Sequence, residues 1–332
     1  MATPLVRNIV TSHSDPGWNY GYATSPFFEF SHARDASYPV YNCRLMPISF
    51  TDAHRFDDYW ASRRNAGLFD TGELSTEISG PDAERLCDKV FTRDVSRLKV
   101  GRCGYGIACY PDGGVIVDGI LMRLAEDRFW YVQADGDVYS WLIAQGADMN
   151  VTISNPGAWV SQVQGPRSMD IMAAALDDGA PDDFRYFDVR EATIGGQWVF
   201  VSRTGWTGEP GWEFYTIPDA KGDFDGPALW RRLQQAGASF GLIESGLDSM
   251  DIHRIEAGFL NNGSNITTAM TPYQAGMGMF VNLDKPDFIG KEAMAAKDRR
   301  PLNYGIKCAA AEPMIGAAIQ RDGKNAGLVT LS

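Results

Sequence analysis

Residues 203–215 read RTGWTGEPGWEFY, a run that sets two tryptophans, three glycines and a proline ahead of an acid held between bulky aromatics. Taken as a strand, residues 211–217 alternate Glu213, Tyr215 and Ile217 on one face with Trp212, Phe214 and Thr216 on the other. Gly205, Gly208 and Gly211 let backbone come close to whatever lies above the first face, and Trp206 offers a flat wall beside it. A fixed carboxylate accepts two parallel hydrogen bonds, so the partner of Glu213 is a planar donor pair. Two such partners are open: an internal arginine, with the glycines merely building a hairpin, or the amino-pyrimidine edge of a pterin or guanine.

Working outward, the chain shows an internal echo. EISGPDAERLCDKVF (77–91) and VSQVQGPRSMDIMAAAL (160–176) both predict a strand, a Gly-Pro corner and a helix opening on proline, where the missing N–H costs nothing. FWYVQADGDVYSWL after the first unit and GWEFYTIPD with GPALWRRL after the second both read strand, polar loop, helix. The expected architecture is therefore α+β, with two related lobes: residues 1–155, including an aromatic-rich lead-in, and residues 156–270. From 271 to 332 short strands and turn signals predict a small β-barrel-like third lobe, abbreviated at its end. Ahead of the first unit, Phe56, Tyr59, Trp60 and Arg63 fall at helical spacing, predicting an amphipathic helix that ends at Gly67, and Leu74, Thr76 and Ile78 share one face of a strand.

Composition narrows the partners. With 44% apolar and 22% charged residues the 332-residue chain is globular, and a formal charge of −12 repels phosphate backbones and anionic lipid surfaces. Neither nucleic acid nor a membrane is expected as a partner. Five cysteines without a CxxC suit free thiols in a reducing, cytoplasmic setting, and four histidines without HExxH or a nearby cysteine cluster leave no metal site. No GxxxxGK[ST], dinucleotide fingerprint or GxSxG elbow occurs.

The stretch at 203–215 resembles the RTGYTGExGxE signature of the glycine cleavage system T-protein family, the tetrahydrofolate-dependent aminomethyltransferases. Further segments agree in order, among them AGLFD (66–70), GPDA (80–83), GGVIVDGI (113–120), QGPRS (164–168), HRIEAGFL (253–260), TPYQAGMG (271–278) and IGKEA (289–293). The resemblance implies a T-protein-like fold around a central folate cleft, with tetrahydrofolate as cofactor. It places the pterin-gripping glutamate at Glu213, an aromatic cofactor contact at Tyr105 and the catalytic aspartate at Asp118; Tyr215, on the same strand face as Glu213, and Trp206, the flat wall beside it, are the further expected cofactor contacts. Val117 stands where the family has a first acid, Met250 where an arginine is expected, and Glu73-Leu74 where a histidine-methionine pair is usual.

DDYW (57–60), VGRCGY (100–105) and AEDRFWYVQADGDV (125–138) are similar to the dimethylsulfoniopropionate demethylase branch of this family. That branch implies methyl transfer from a small sulfonium, ammonium or methoxy donor to tetrahydrofolate. Aminomethyl transfer and a non-catalytic folate-binding role are the alternatives. A cationic donor is held well by aromatic faces, for which Trp130 and Trp18, with Tyr20 and Tyr22, are the substrate-binding candidates; surface packing is the plainer role of the lead-in aromatics. The sequence leaves the oligomeric state open.

Overall fold

The computed structural model describes residues 23–134, 136–217, 224–308 and 313–330. Helix α1 (Phe28–Ala33), the short strands β1 (Val40–Tyr41) and β2 (Arg44–Leu45), helix α2 (Arg55–Arg64) and strand β3 (Ala66–Asp70) come first. A first unit follows: β4 (Leu74–Ser79), α3 (Ala83–Val90), β5 (Arg102–Cys109), β6 (Val115–Ala125), β7 (Arg128–Gln133), α4 (Val138–Gln145) and β8 (Thr152–Ser154). A second repeats the pattern with β9 (Val160–Gln164), α5 (Ser168–Ala175), β10 (Val189–Ile194), β11 (Gln197–Ser202), β12 (Gly211–Thr216), α6 (Gly226–Gly237), β13 (Leu242–Glu244) and α7 (Leu247–Ala257).

The repeat read from the sequence is visible in the strand order. One sheet runs β5-β6-β7-β4-β8 and the other β10-β11-β12-β9-β3-β13, so a three-strand meander is followed in each by the strand that leads into the Gly-Pro corner. Gly80 and Gly165 turn these corners with φ of +118° and +133°, and a Cβ on either would strike a backbone carbonyl, that of Asn150 at 2.8 Å or of Asn65 at 2.5 Å. Only glycine meets both demands. The prolines lie in the turn, two residues ahead of α3 and α5, and not at the first helical position as the sequence predicts.

The last shared place in each sheet is filled differently. In the first unit it is β8, antiparallel to β4; in the second it is β3, which precedes both units in sequence and pairs with β9 on one side and in parallel with β13 on the other. Residues expected to continue α2 to Gly67 thus leave the helix at Arg64, because the ladder takes up Ala66–Asp70. The buried face of α2 also differs from the predicted stripe. Phe56 and Trp60 are 48% and 47% exposed, while Asp58, Tyr59 and Ser62 face inward. Asp58 accepts the Gly246 N–H at 2.8 Å at the start of α7, a buried acid satisfying a helix N-terminus.

Helices cover the outer faces of both sheets. Leu86, Val90 and Leu142 pack against Ile78, Leu121 and Phe129 in the first unit; Ile171, Met172, Leu229 and Leu233 pack against Val163, Val201, Trp212 and Phe214 in the second. The inner faces meet each other through Cys103, Met122 and Trp130 on one side and Val160, Phe200 and Tyr215 on the other. The layers are helix, sheet, sheet, helix. Asp225 caps α6, its carboxylate accepting the Ala228 N–H at 2.9 Å. Asp225→Ala is expected to lower stability by about 1 kcal/mol, read as a reduced denaturant midpoint with unchanged slope.

The third lobe departs from expectation. Among the described residues beyond 257 there are a 3-10 turn at Gly278–Phe280, helix α8 (Lys291–Ala296) and one hairpin, β14 (Ala318–Arg321) with β15 (Lys324–Leu328), and no closed barrel. Ile266, Ala275, Met277, Phe288 and Met294 instead seat themselves singly on Ile107, Cys109 and Val115 of the β5–β6 hairpin. The turn residues there separate docked loops, since the apolar side chains find their burial on an existing sheet.

Candidate functional site

Asp118 lies on β6 opposite Ile107, and alternation sets it with Ile120 and Met122 on the face turned to the second sheet. It is 5% exposed. The Tyr105 hydroxyl, from the neighbouring strand, donates to Oδ2, while Oδ1 has no hydrogen-bond partner. Asn262 stands close enough to favour the charged carboxylate, although its amide donates to the Ile116 carbonyl at 3.3 Å. Burial outweighs these contacts and raises the Asp118 pKa. Burial, and then the Asp118 charge, push the Tyr105 hydroxyl well above its ordinary range, so it stays a donor. Its ring leans on Phe280, centroids 4.5 Å apart, beside the Met277 sulfur at 4.0 Å.

Glu213 is placed by β12 between Ser202 of β11 and Gln162 of β9. The hydroxyls of Thr204 and Tyr215 donate to its Oε2, the latter at 2.5 Å, and no arginine or lysine among the described residues pairs with it. The internal-arginine reading is therefore set aside. Burial raises its pKa. Tyr215 is fully buried and holds Glu213 from below, with Ser202 Oγ 3.2 Å from its hydroxyl.

The glycines before this strand serve a different purpose from the one the sequence suggests. A Cβ on Gly205 or on Gly211 would fall 2.2 Å from the Gln164 side chain. That amide is wrapped by the loop: Nε2 donates to the Thr204 carbonyl at 3.2 Å and Oε1 accepts from Thr207 at 2.9 Å. The space the glycines open is taken up by Gln164, which locks the loop to β9.

Trp206 is half-buried and carries the Arg254 guanidinium 5.0 Å from its ring centroid, itself held by Asp251 and Asn265. Trp130 sits in the inter-sheet core, edge-on to Phe200, its indole N–H donating to Glu77 at 2.7 Å. Trp18, Tyr20 and Tyr22 lie outside the described residues. A small, largely enclosed cavity bounded by Phe27, Pro47, Phe50 and Trp230 and a surface hollow bounded by Glu29, Arg34, Gln234 and Glu244 are lined by neither Asp118 nor Glu213.

Sequence reasoning missed the surroundings of Glu213. Gln162 is 1% exposed and donates to Glu73 Oε1 at 3.4 Å, while Gln162 Oε1 and Glu73 Oε2 have no partner. Two glutamines in an otherwise buried strand, VSQVQ, were the available signal. Burial, and then the neighbouring Glu213 charge, push the Glu73 carboxyl up to about 7, against opposing pulls from the Thr71 side chain, the Glu73 backbone and, last, the Arg44 charge. In the native state Glu73 holds its proton between its ordinary value and about 7, where the unfolded chain has released it, so stability falls as pH rises through that window. Glu73→Gln is expected to melt like the parent below the ordinary glutamate range and above it in temperature past pH 7; a constant offset at all pH would refute this.

Among the described residues no helix is long and apolar enough to cross a membrane, and no group of three or more His, Cys, Asp or Glu could hold a metal ion. All five cysteines are free.

Residues 26–285 match the family described as GCVT N-terminal domain. The chain is 32% identical over 297 residues to an aminomethyltransferase of Lysinibacillus sphaericus, covering 86% of this chain and 78% of that protein. It is 34% identical over 286 residues to an aminomethyltransferase of Saccharopolyspora erythraea, with 83% and 75% covered. A trimethylamine-oxide aldolase of Ruegeria pomeroyi is 34% identical over 276 residues, 79% of this chain but 34% of that longer protein. The crystal structure of glycine cleavage system aminomethyltransferase T from Bartonella henselae superposes with a TM-score of 0.79 at 25% identity, covering 93% of this chain and 85% of that one.

Proposed function

Because this chain belongs to the GCVT family of aminomethyltransferases, we propose that it is an enzyme moving a one-carbon unit from an amine-bearing donor to tetrahydrofolate. Relatives named as aminomethyltransferases support this reading over methyl transfer from a small sulfonium, ammonium or methoxy donor, which the sequence alone put first. The observation that carries it is Asp118, a buried carboxylate with a raised pKa and one free oxygen, fixed by a tyrosine that cannot easily ionise.

The folate fits the groups present. Its pterin edge presents N–H donors, and Glu213 is a buried carboxylate that no arginine or lysine among the described residues pairs with. Bound tetrahydrofolate supplies a nucleophilic ring amine. Glu213 would hold the amino-pyrimidine edge, stiffened from beneath by Thr204 and Tyr215. Asp118 would orient the reacting amine and accept, at Oδ1, the proton lost as the new carbon–nitrogen bond forms, while the bond from the transferred carbon to the donor atom breaks and its electron pair stays on the donor as leaving group. Tyr105 would keep Oδ2 engaged, so that the free oxygen points one way. Positioning and exclusion of water supply the rest. Trp206 remains a proposed contact of the cofactor; Trp130, 1% exposed and bonded to Glu77, would serve the donor only by backing the wall of the site and not by touching it.

Mass spectrometry of tetrahydrofolate after incubation with aminomethyl, methylammonium and sulfonium donors tests the reading. Methylene-tetrahydrofolate from an aminomethyl donor supports it, methyl-tetrahydrofolate from a sulfonium restores the demethylase alternative, and unmodified folate with every donor leaves a binding protein.

A further inference from the structure

Beside Glu213, two buried acceptor oxygens, Glu73 Oε2 and Gln162 Oε1, have no hydrogen-bond partner among the described residues. Glu213 and Gln162 are opposed across the β12–β9 ladder, and the Gln162 amide turns toward Glu73, just ahead of β4. The obvious internal cation is already committed. Arg44 donates to the carbonyls of Glu73 at 2.8 Å and Ala158 at 2.9 Å, and its guanidinium lies 4.2 Å over the Trp159 ring. It reaches neither carboxylate of the pair with a hydrogen bond. What remains is two neighbouring carboxyl groups and an amide oxygen, with Glu73 Oε2 and Gln162 Oε1 buried and unpartnered. Buried acceptors are rarely left in that state unless a ligand or water completes them.

We propose that Glu73 and Gln162 are specificity residues that recognise a protonated amine carrying N–H groups on the one-carbon donor. The inference rests on the functional reading above and narrows its substrate class. An N–H cation answers both defects at once, because it brings positive charge between two acids and donates to oxygens that have no donor. A sulfonium or quaternary ammonium brings the charge without the donors. Such ions are better served by aromatic faces, and the nearby Trp159 face is already covered by Arg44. The amide of Gln162 adds direction: one end engages Glu73, which leaves its oxygen for the amine.

The test uses the full chain and small cations as probes: dimethylammonium, tetramethylammonium and trimethylsulfonium chlorides, titrated by NMR at neutral pH with tetrahydrofolate present. Dimethylammonium is expected to bind at least about tenfold more tightly than the two ions lacking N–H, as one charge-assisted hydrogen bond implies. Glu73→Gln should erase that preference while changing tetrahydrofolate affinity less than about twofold, since the pterin grip is assigned to Glu213. Gln162→Leu should reduce the preference in part. Equal binding of all three cations to the parent overturns the inference, as solvent would then suffice for the free oxygens. Loss of tetrahydrofolate affinity in Glu73→Gln equal to that in Glu213→Ala also overturns it, by placing Glu73 in the pterin grip. Failure of the parent to bind tetrahydrofolate at all would instead sink the proposed function, and amine selectivity would still be read without folate.

Discussion

Asp118→Asn is expected to slow turnover by about 10²–10⁴-fold, the span ordinarily supplied by a positioned general base. The substitution keeps the shape of the side chain and an oxygen for the Tyr105 hydroxyl, so the β5–β6 hairpin has no reason to move. What disappears is a site that can take a proton. Tetrahydrofolate affinity should stay within about threefold of the parent, because the lost group acts on the reacting amine and not on the pterin edge. The pH profile supplies a second readout. Burial raises the parent's Asp118 pKa, so parental activity falls as pH drops through that raised value and the acid becomes protonated; the residual rate of the variant should lack that limb. Single-turnover rates combined with equilibrium titration separate the two quantities. A rate within a few-fold of the parent would remove Asp118 from the chemistry.

Glu213→Ala carries the other large expectation: tetrahydrofolate binding weakened by about 30- to 1,000-fold, corresponding to about 2–4 kcal/mol for a pair of hydrogen bonds to a charged acceptor. Truncation also leaves the Thr204 and Tyr215 hydroxyls without the oxygen they share. Glu213→Gln separates recognition from support. It preserves an acceptor for those two hydroxyls yet turns the other arm into a donor, which meets the N–H edge of the pterin with the wrong polarity. Its folate affinity should fall nearly as far as in Glu213→Ala, while its melting temperature at neutral pH should not fall, since a buried carboxylate next to Glu73 has gone. Unchanged folate affinity in either variant would dismiss the assignment.

Much of this site was legible in the residue order. The alternation of Trp212, Glu213, Phe214 and Tyr215 correctly separated a helix-facing side from a sheet-facing side, because a strand's period of two depends only on backbone geometry. The resemblance singled out Asp118 from the residue order, and the apolar residues of its strand are what bury it and raise its pKa. The two Gly-Pro corners announced the repeat, because each needs a glycine conformation that other residues resist.

Local pattern could not name partners. Whether Glu213 met an arginine or two hydroxyls depended on which strands flank β12, and that registry joins residues far apart in the chain. The same holds for β3, whose first two residues the sequence read as the end of a helix and which the second sheet claims as a strand because its edge would otherwise be unpaired. The loop glycines looked like room for a ligand until Gln164 was found filling it. Periodicity and turn chemistry therefore determined the elements and the faces they bury, being properties of neighbouring residues. Pairing, and with it the acceptor cluster of Glu73, Gln162 and Glu213, was decided only by tertiary structure, where distant segments compete for the same buried hydrogen bonds.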